Sequence, residues 1–188
     1  MAVALPDALR AAGVLLRPLR AADARPFAAA FRDDPELGRL LGFERDPDED
    51  WVRRRVERPP DPEQVAELAV ADPRSEAFLG LLLSHSLDAR HRRAEVGFWL
   101  VPSARGRGVG RMAVGRFVDW MFEALDLLRV EMTTTPDNAA TLGLAASLGF
   151  RREGTMRARN VERGVRVDVV MLAVLREEWQ PPCHTSAT

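Results

Sequence analysis

The chain of 188 residues has one cysteine, no tyrosine and no lysine, so its 27 strongly basic side chains are all arginines. The lone Cys183 cannot form an internal disulfide, and this predicts a reducing, cytoplasmic setting. Its neighbours, Pro181, Pro182 and His184, are typical of a frayed terminus rather than of a nucleophile. No apolar run approaches the 18 residues of a membrane span. Pro6 interrupts the stretch where a signal peptide would have its apolar core.

The remaining composition is that of an ordinary globular domain. A hydrophobic content of 46% supplies a real core, and we expect one domain over residues 1–180 followed by a flexible tail, 181–188. The net charge of −1 argues against electrostatic attraction to nucleic acid or to an anionic membrane. No spacing of His, Cys, Asp and Glu suggests a metal site. We expect a monomer or a homodimer.

One stretch organises the rest of the chain. Ala94–Leu100 is apolar and aromatic like a buried strand, residues 105–111 contain three glycines and three arginines, and an amphipathic helix follows. Glycines let backbone N–H groups approach a ligand, and a helix N-terminus attracts negative charge. We therefore expect a phosphate or pyrophosphate site, the alternative being a surface turn with solvated arginines. The stretch does not end as a P-loop does, and Arg111 replaces the third Rossmann glycine.

The other predicted elements alternate around this stretch. Strand, helix and strand in succession predict a parallel pair between 94–100 and 129–134, with a right-handed crossover. Residues 42–62 are read either as a lid over the substrate or as a solvated connector. Thr135 as N-cap with Pro136 at the first position is one register for the last helix, which Gly149 would end in the left-handed region. The further strands are predicted at 14–19, 64–71, 77–87, 151–159 and 165–175, and the further helices at 22–32, 35–41 and 50–58.

Several separated motifs resemble those of one family. Arg105-x-x-Gly108-x-Gly110 resembles the acetyl-CoA loop of the GCN5-related N-acetyltransferases, the GNAT superfamily. Asn138-x-x-Thr141, followed by Leu-Gly-Phe at 148–150 and Glu-Gly at 153–154, resembles the signature of its RimJ/RimL branch, as does the strand 95–100. The resemblance implies an α/β fold with a mixed, mostly antiparallel central sheet flanked by helices. The fourth and fifth predicted strands, 94–100 and 129–134, would splay apart.

The resemblance also implies a site for acetyl-CoA as co-substrate. Pantetheine would pair with the backbone of Trp99, Leu100 and Val101, and Asn138 would contact the cofactor arm. A bulge at Gly97 would aim a backbone N–H at the thioester oxygen. The pyrophosphate would lie on Arg105, Gly106, Arg107, Gly108, Val109, Gly110 and Arg111.

The residues suggest incomplete catalytic machinery. Glu95 is the first candidate for the base, because it shares a strand face with Gly97 and Trp99, although it could instead pair with an arginine at the sheet surface. Many relatives carry a tyrosine that acts as general acid seven residues after the asparagine, where this chain has Ala145. Thr141 and Ser147 are the local hydroxyls that could replace it, unless they are merely helix-surface residues. His85 and His91 are possible proton relays or ordinary strand and turn histidines.

The predicted function is transfer of an acetyl group from acetyl-CoA to a primary amine, by direct attack in a ternary complex. A protein N-terminal α-amine suits a weak base, because its pKa of about 8 leaves more neutral amine near pH 7 than the value of about 10.4 for lysine. The alternatives are a small-molecule or antibiotic N-acetyltransferase, a catalytically silent coenzyme-binding sensor or interaction module, and a nucleotide- or phosphate-binding protein unrelated to coenzyme A.

Overall fold

The structure is a computed structural model, which describes residues 7–41, 43, 45–57 and 66–182. Some predicted features lie outside the described residues. They are Cys183, the rest of the predicted tail from residue 184, and residues 58–62 of the segment read as a lid or a connector. The domain boundary at residue 180 stays a prediction.

The fold is built on one eight-stranded sheet in the order β1-β2-β3-β4-β5-β6-β8-β7. All neighbours are antiparallel except β5 and β6, which are parallel, as the crossover helix between them predicts. This confirms the mixed, mostly antiparallel sheet. The first strand was not predicted, since three residues are too few to show an alternating pattern. The strands are β1 Leu9–Ala11, β2 Val14–Pro18, β3 Ala66–Ala71, β4 Phe78–Asp88, β5 Arg93–Leu100, β6 Arg129–Thr134, β7 Arg151–Glu162 and β8 Val165–Leu175.

Helices cover both faces of the sheet. On one face, Phe117 of the long central helix packs with Leu68 and Leu82 of the sheet. On the other face, Phe27, Phe31 and the sheet residue Trp99 form a second core. Burial of an apolar stripe against each face is what holds such a layered fold together. The helices are α1 Ala24–Asp33, α2 Pro35–Leu40, α3 Glu49–Glu57, α4 Val109–Ala124 and α5 Ala139–Ser147.

The start of α5 differs from the predicted register. Asn138 is the N-cap, and its side-chain oxygen accepts a hydrogen bond of 3.1 Å from the backbone N–H of Thr141. Thr135 as N-cap is therefore wrong, because its hydroxyl donates instead to the carboxylate of Asp137. Gly149 follows the helix with a φ of +82°, so the predicted left-handed ending is confirmed.

The parallel pair opens part of the way along its length. β5 and β6 are paired only from Arg93 and Arg129 to Glu95 and Glu131, although β5 continues to Leu100. This is the predicted splay of the two central strands.

The predicted bulge at Gly97 is wrong. Gly97 pairs in regular register with Leu83 of β4. The irregularity lies in β4 itself, after His85, where Ser86 adopts a φ of +56°. A Cβ at Gly97 would lie 3.4 Å from the Leu83 side chain, an ordinary van der Waals contact.

Candidate active site

The splay opens a cavity of about 950 Å³ between β5 and β6. One end lies against the loop before α4 and against one face of α5. The other end lies against α2 and the tip of the β7–β8 hairpin. A cavity of this size accommodates an extended coenzyme arm together with a second substrate.

One end of the cavity is formed by the start of α4. Gly108 is the N-cap with a φ of +78° and makes no side-chain capping hydrogen bond, which leaves N–H groups of the first turn available to an anion. Arg105 reaches across the loop, with Nε 3.0 Å from the carbonyl of Leu100 and Nη1 2.6 Å from a carboxylate oxygen of Asp34. Of the predicted diphosphate residues, the cavity is lined by Arg105, Gly106, Gly108, Gly110 and Arg111.

The two other residues predicted in this loop are placed differently. Arg107 and Val109 do not line the cavity. The guanidinium of Arg107 is exposed and lies 3.4 Å from the backbone oxygen of Ser103. Their contact with a coenzyme stays a prediction.

Backbone N–H groups along one edge of β5 face the opening between β5 and β6. The N–H of Val101 donates to the carbonyl of Leu79 at 2.9 Å, on the side of β4. Because N–H directions alternate along a strand, the N–H groups of Phe98 and Leu100 point to the opposite side, where β6 has diverged. Such fixed donors can pair with the amides of an extended ligand or stabilise a developing oxyanion.

The Trp99 side chain belongs mainly to the core. It is only 5% exposed and makes edge-to-face contacts with Phe27 and Phe31 at centroid distances of 4.8 and 5.4 Å. Trp99 and Leu100 line the cavity, whereas Val101 does not.

The wall of α5 brings three predicted residues together. Asn138, Thr141 and Ser147 all line the cavity. The Ser147 hydroxyl donates a hydrogen bond of 2.7 Å to the carbonyl of Leu144, the back-bonding that helical serines often show. The catalytic roles of Thr141 and Ser147 stay predictions.

The carboxylate of Glu95 lies at the point where the strands part. It accepts a hydrogen bond from the hydroxyl of Thr133 on β6, and its other oxygen lies 3.9 Å from Nδ1 of His85 on β4. Its side chain is 17% exposed, and all three residues line the cavity. Thr133 was missed by sequence reasoning, although its alternation with Glu131 along β6 places both on the face of Glu95.

Below Glu95, ion pairs join the two central strands. Glu131 is bonded by Arg93 at 3.0 Å and by Arg129 at 2.7 Å. Arg129 also bonds Glu153 of β7, which lowers the pKa of that carboxyl below its ordinary value of 4.5 and raises the pKa of Arg129. These charges are paired side to side, so they hold the lower part of the sheet closed where the upper part opens.

The other end of the cavity combines apolar and polar residues. Three leucines of the α2 region and Val161 at the hairpin tip line it. Arg39 of α2 bonds Glu162 of the hairpin at 2.5 Å, which ties the two walls together. Sequence analysis left 42–62 open between a lid and a solvated connector. The described part of that segment does not line the cavity, whereas α2 does. The leucines are Leu37, Leu40 and Leu41.

Two further searches concern only the part of the chain that the structure describes. Within it, no group of three or more His, Cys, Asp or Glu side chains is arranged to hold a metal ion. Of its helices, none has both the length and the apolar character needed to cross a membrane.

Known proteins resemble this chain in sequence and in fold. Over 104 residues it is 29% identical to a Bacillus subtilis (strain 168) protein named "Putative ribosomal N-acetyltransferase YdaF", a match that covers 55% of this chain and 57% of that protein. A crystal structure described as a probable acetyltransferase of the GNAT family from Chromobacterium violaceum ATCC 12472 has a TM-score of 0.82 and 26% identity, covering 95% of this chain and 92% of that chain. Spermidine N-acetyltransferase from Vibrio cholerae, solved with CoA and spermine, shares the fold with a TM-score of 0.77 at 21% identity, covering 89% of this chain and 98% of that chain.

The family follows from a match over most of the chain. The chain spans little more than half the length of the curated relative YdaF. The name of that relative agrees with the predicted RimJ/RimL-like branch. Residues 14–151 match the family model described as an acetyltransferase (GNAT) domain, and with this match the chain belongs to the GNAT acetyltransferase family.

Proposed function

We propose that this protein is an acetyl-CoA-dependent N-acetyltransferase, in which a primary amine attacks the thioester directly within a ternary complex. One observation carries the proposal. The pairing of β5 with β6 stops at Glu95 and Glu131, and the opening above it joins the start of α4 to Glu95 within a single cavity. A phosphate site and a carboxylate are thereby connected by an unpaired strand edge, which is the arrangement that acetyl transfer from a long coenzyme needs.

The loop before α4 fits a diphosphate. Gly106 and Gly108 have φ angles of +70° and +78°, and a Cβ at either position would meet nothing within 4 Å, so the space beside the backbone is open. Arg105 and Arg111 line this space and would add charged donors to the N–H groups of the first turn. When bound, acetyl-CoA supplies an activated acyl group. The spermidine N-acetyltransferase of similar fold, which was solved with CoA, supports this choice of ligand.

The chemistry requires a proton acceptor and a stabilised oxyanion. We propose Glu95 as the carboxylate on which general-base catalysis depends. The N–H groups of Phe98 and Leu100 are the donors for the oxyanion, a contribution that is typically about 3–4 kcal/mol. Because the amine can attack the thioester directly, the reaction needs no covalent enzyme intermediate.

We propose a polypeptide α-amine as the acceptor. Its pKa of about 8 leaves a useful neutral fraction at pH 7, whereas a lysine amine at about 10.4 demands a stronger base. Glu95 and Glu162 are the carboxylates that line the described cavity, and Glu162 is already paired with Arg39. A polyamine with several positive charges therefore finds little complementary charge here. The ribosomal N-acetyltransferase name of the relative YdaF supports the same class of acceptor.

Thiol release from acetyl-CoA, measured with a panel of amines, tests the proposal. The panel contains peptides with a free α-amine, N-terminally blocked peptides with one lysine, and spermidine. We expect the α-amine peptides to react fastest. Faster reaction of lysine or of spermidine would contradict the proposed acceptor. Binding of acetyl-CoA without any turnover would identify a silent coenzyme-binding module, and protection from heat by ATP but not by acetyl-CoA would contradict the proposed ligand.

A further inference from the structure

A second titratable side chain faces the cavity beside Glu95. His85 of β4 lies directly across the strand from Glu95, and both line the cavity. Its Nδ1 is 3.1 Å from the hydroxyl oxygen of Ser86 and 3.9 Å from a carboxylate oxygen of Glu95. The bulge that begins after His85 gives Ser86 the φ of +56° that brings its hydroxyl back to the ring. One side of the imidazole is thus held between two oxygens.

The other side of the ring lies over β5. A Cβ placed on Gly97 would lie 3.7 Å from Nε2 of His85, so this nitrogen lies over Gly97, which also lines the cavity. Glu95 is turned towards β6, where Thr133 donates to it, and its side chain is 17% exposed against 38% for His85. Between the two, the histidine reaches further towards the place where an amine would attack.

We propose that Nε2 of His85 accepts the proton of the attacking amine and that Glu95 stabilises the imidazolium that forms. The inference rests on the proposed acetyltransferase function and assigns its base. In this arrangement, His85 takes the proton and Glu95 contributes to base catalysis by stabilising the charged histidine, as a carboxylate behind a histidine does in other acyl transfers.

The atoms balance as follows in the proposed step. The ammonium form of the acceptor gives one proton to Nε2, and the freed lone pair forms the bond from nitrogen to the acetyl carbon. The bond from that carbon to sulfur then breaks, and the thiolate takes a second proton from the nitrogen. His85 finally releases its proton to solvent. The products are the N-acetylated acceptor, free coenzyme A thiol and one proton.

Two charged groups on this face of the sheet are already paired, and Arg159 of β7 also lines the cavity. Glu67 of β3, which lies opposite Leu83 and therefore on the same face as His85, bonds Arg55 of α3 at 2.9 Å. Arg93 of β5 bonds Glu131 of β6 at 3.0 Å.

Two more pairs surround the ring at a greater distance. Asp88, on the same strand as His85, bonds His91 at 2.8 Å, and this hydrogen bond lowers the pKa of the Asp88 carboxyl. Across the cavity, Glu162 of β7 is held by Arg39 of α2. Glu95 is therefore the carboxylate placed to respond to a charge on His85.

The test replaces His85 by asparagine and compares pH profiles of kcat/KM for an α-amine peptide. We expect H85N to lose about 100-fold in kcat/KM at pH 7, the scale of a lost general base. With His85 present, an ammonium acceptor and a neutral imidazole already hold the right number of protons, so kcat/KM should rise less than tenfold per pH unit below the pKa of the α-amine, about 8. Without it, the rate should rise about tenfold per pH unit up to the pKa of the α-amine, about 8.

Controls separate this inference from a folding defect and from the proposed function. His91→Asn is the matched control, because His91 is exposed and does not line the cavity, and it should leave the profile unchanged. Glu95→Gln should lower kcat/KM as well, because the imidazolium loses its stabilising charge, and the double variant should lose little more than H85N alone. All variants should bind acetyl-CoA in calorimetry within about twofold of the unchanged protein, or within about 0.4 kcal/mol.

Two results are decisive. An H85N protein that binds acetyl-CoA, retains its rate within threefold and keeps the profile of the active unchanged protein would overturn the role of His85 alone. An unchanged protein that binds acetyl-CoA but releases no thiol with any amine would overturn the proposed function, and this inference with it.

Discussion

Two of the glycines with a left-handed φ, Gly108 and Gly149, allow a matched test of the proposed coenzyme loop. Their φ angles are +78° and +82°, and a Cβ at either position would meet nothing within 4 Å. Alanine at each site therefore adds backbone strain without a clash, about 1–2 kcal/mol for an L-residue in this region. Gly108 lines the cavity and caps α4, whereas Gly149 ends α5 outside the cavity lining.

We expect both variants to lose about 1–2 kcal/mol of unfolding free energy, measured by urea denaturation. Only Gly108→Ala should also weaken acetyl-CoA binding, because the new methyl group enters the space proposed for the diphosphate. If this obstruction costs about 1–2 kcal/mol of binding free energy, the Kd rises about 5- to 30-fold. Calorimetry with acetyl-CoA measures this directly. Equal Kd values for Gly108→Ala and Gly149→Ala, with equal losses of stability, would refute the assignment of the loop.

Three further predictions concern the charges and the core. Arg105→Gln should raise the Kd for acetyl-CoA about tenfold, since it removes a charged donor from the cavity wall, whereas Arg107→Gln should change it less than about twofold; calorimetry checks both. Trp99→Ala should lower the free energy of unfolding by about 3–5 kcal/mol in urea, because a buried aromatic side chain leaves a void between two phenylalanines. Glu153→Gln should flatten the loss of thermal stability below about pH 4.5, because the folded pKa of Glu153 is depressed by Arg129, so its contribution is present above the unfolded value and disappears as pH falls through the folded one; melting temperatures from pH 7 to 3 test this.

The sequence by itself determined the elements whose physics is local. The existence of α4 and the bounds of β6 follow from an amphipathic stripe and from strict alternation. The structure has β6 where predicted, over Arg129–Thr134, and begins α4 at Val109, within the predicted loop 105–111. The parallel crossover and the splayed pair also follow from element order and from the family resemblance. Gly149 ends α5 because glycine, which has no Cβ, readily adopts a left-handed φ, and this preference belongs to the residue itself.

Only the tertiary structure decided which side chains meet. Asp34 pairs with Arg105, and Thr133 donates to Glu95, across separations that no local pattern encodes. The bulge lies after His85 rather than at Gly97, because strand register is settled by which side chains pack on each face. The periodicity of a helix or a strand shows which residues share a face, but not which element packs against that face. The placing of a carboxylate, a hydroxyl and an unpaired strand edge around one cavity is therefore a property of the folded chain.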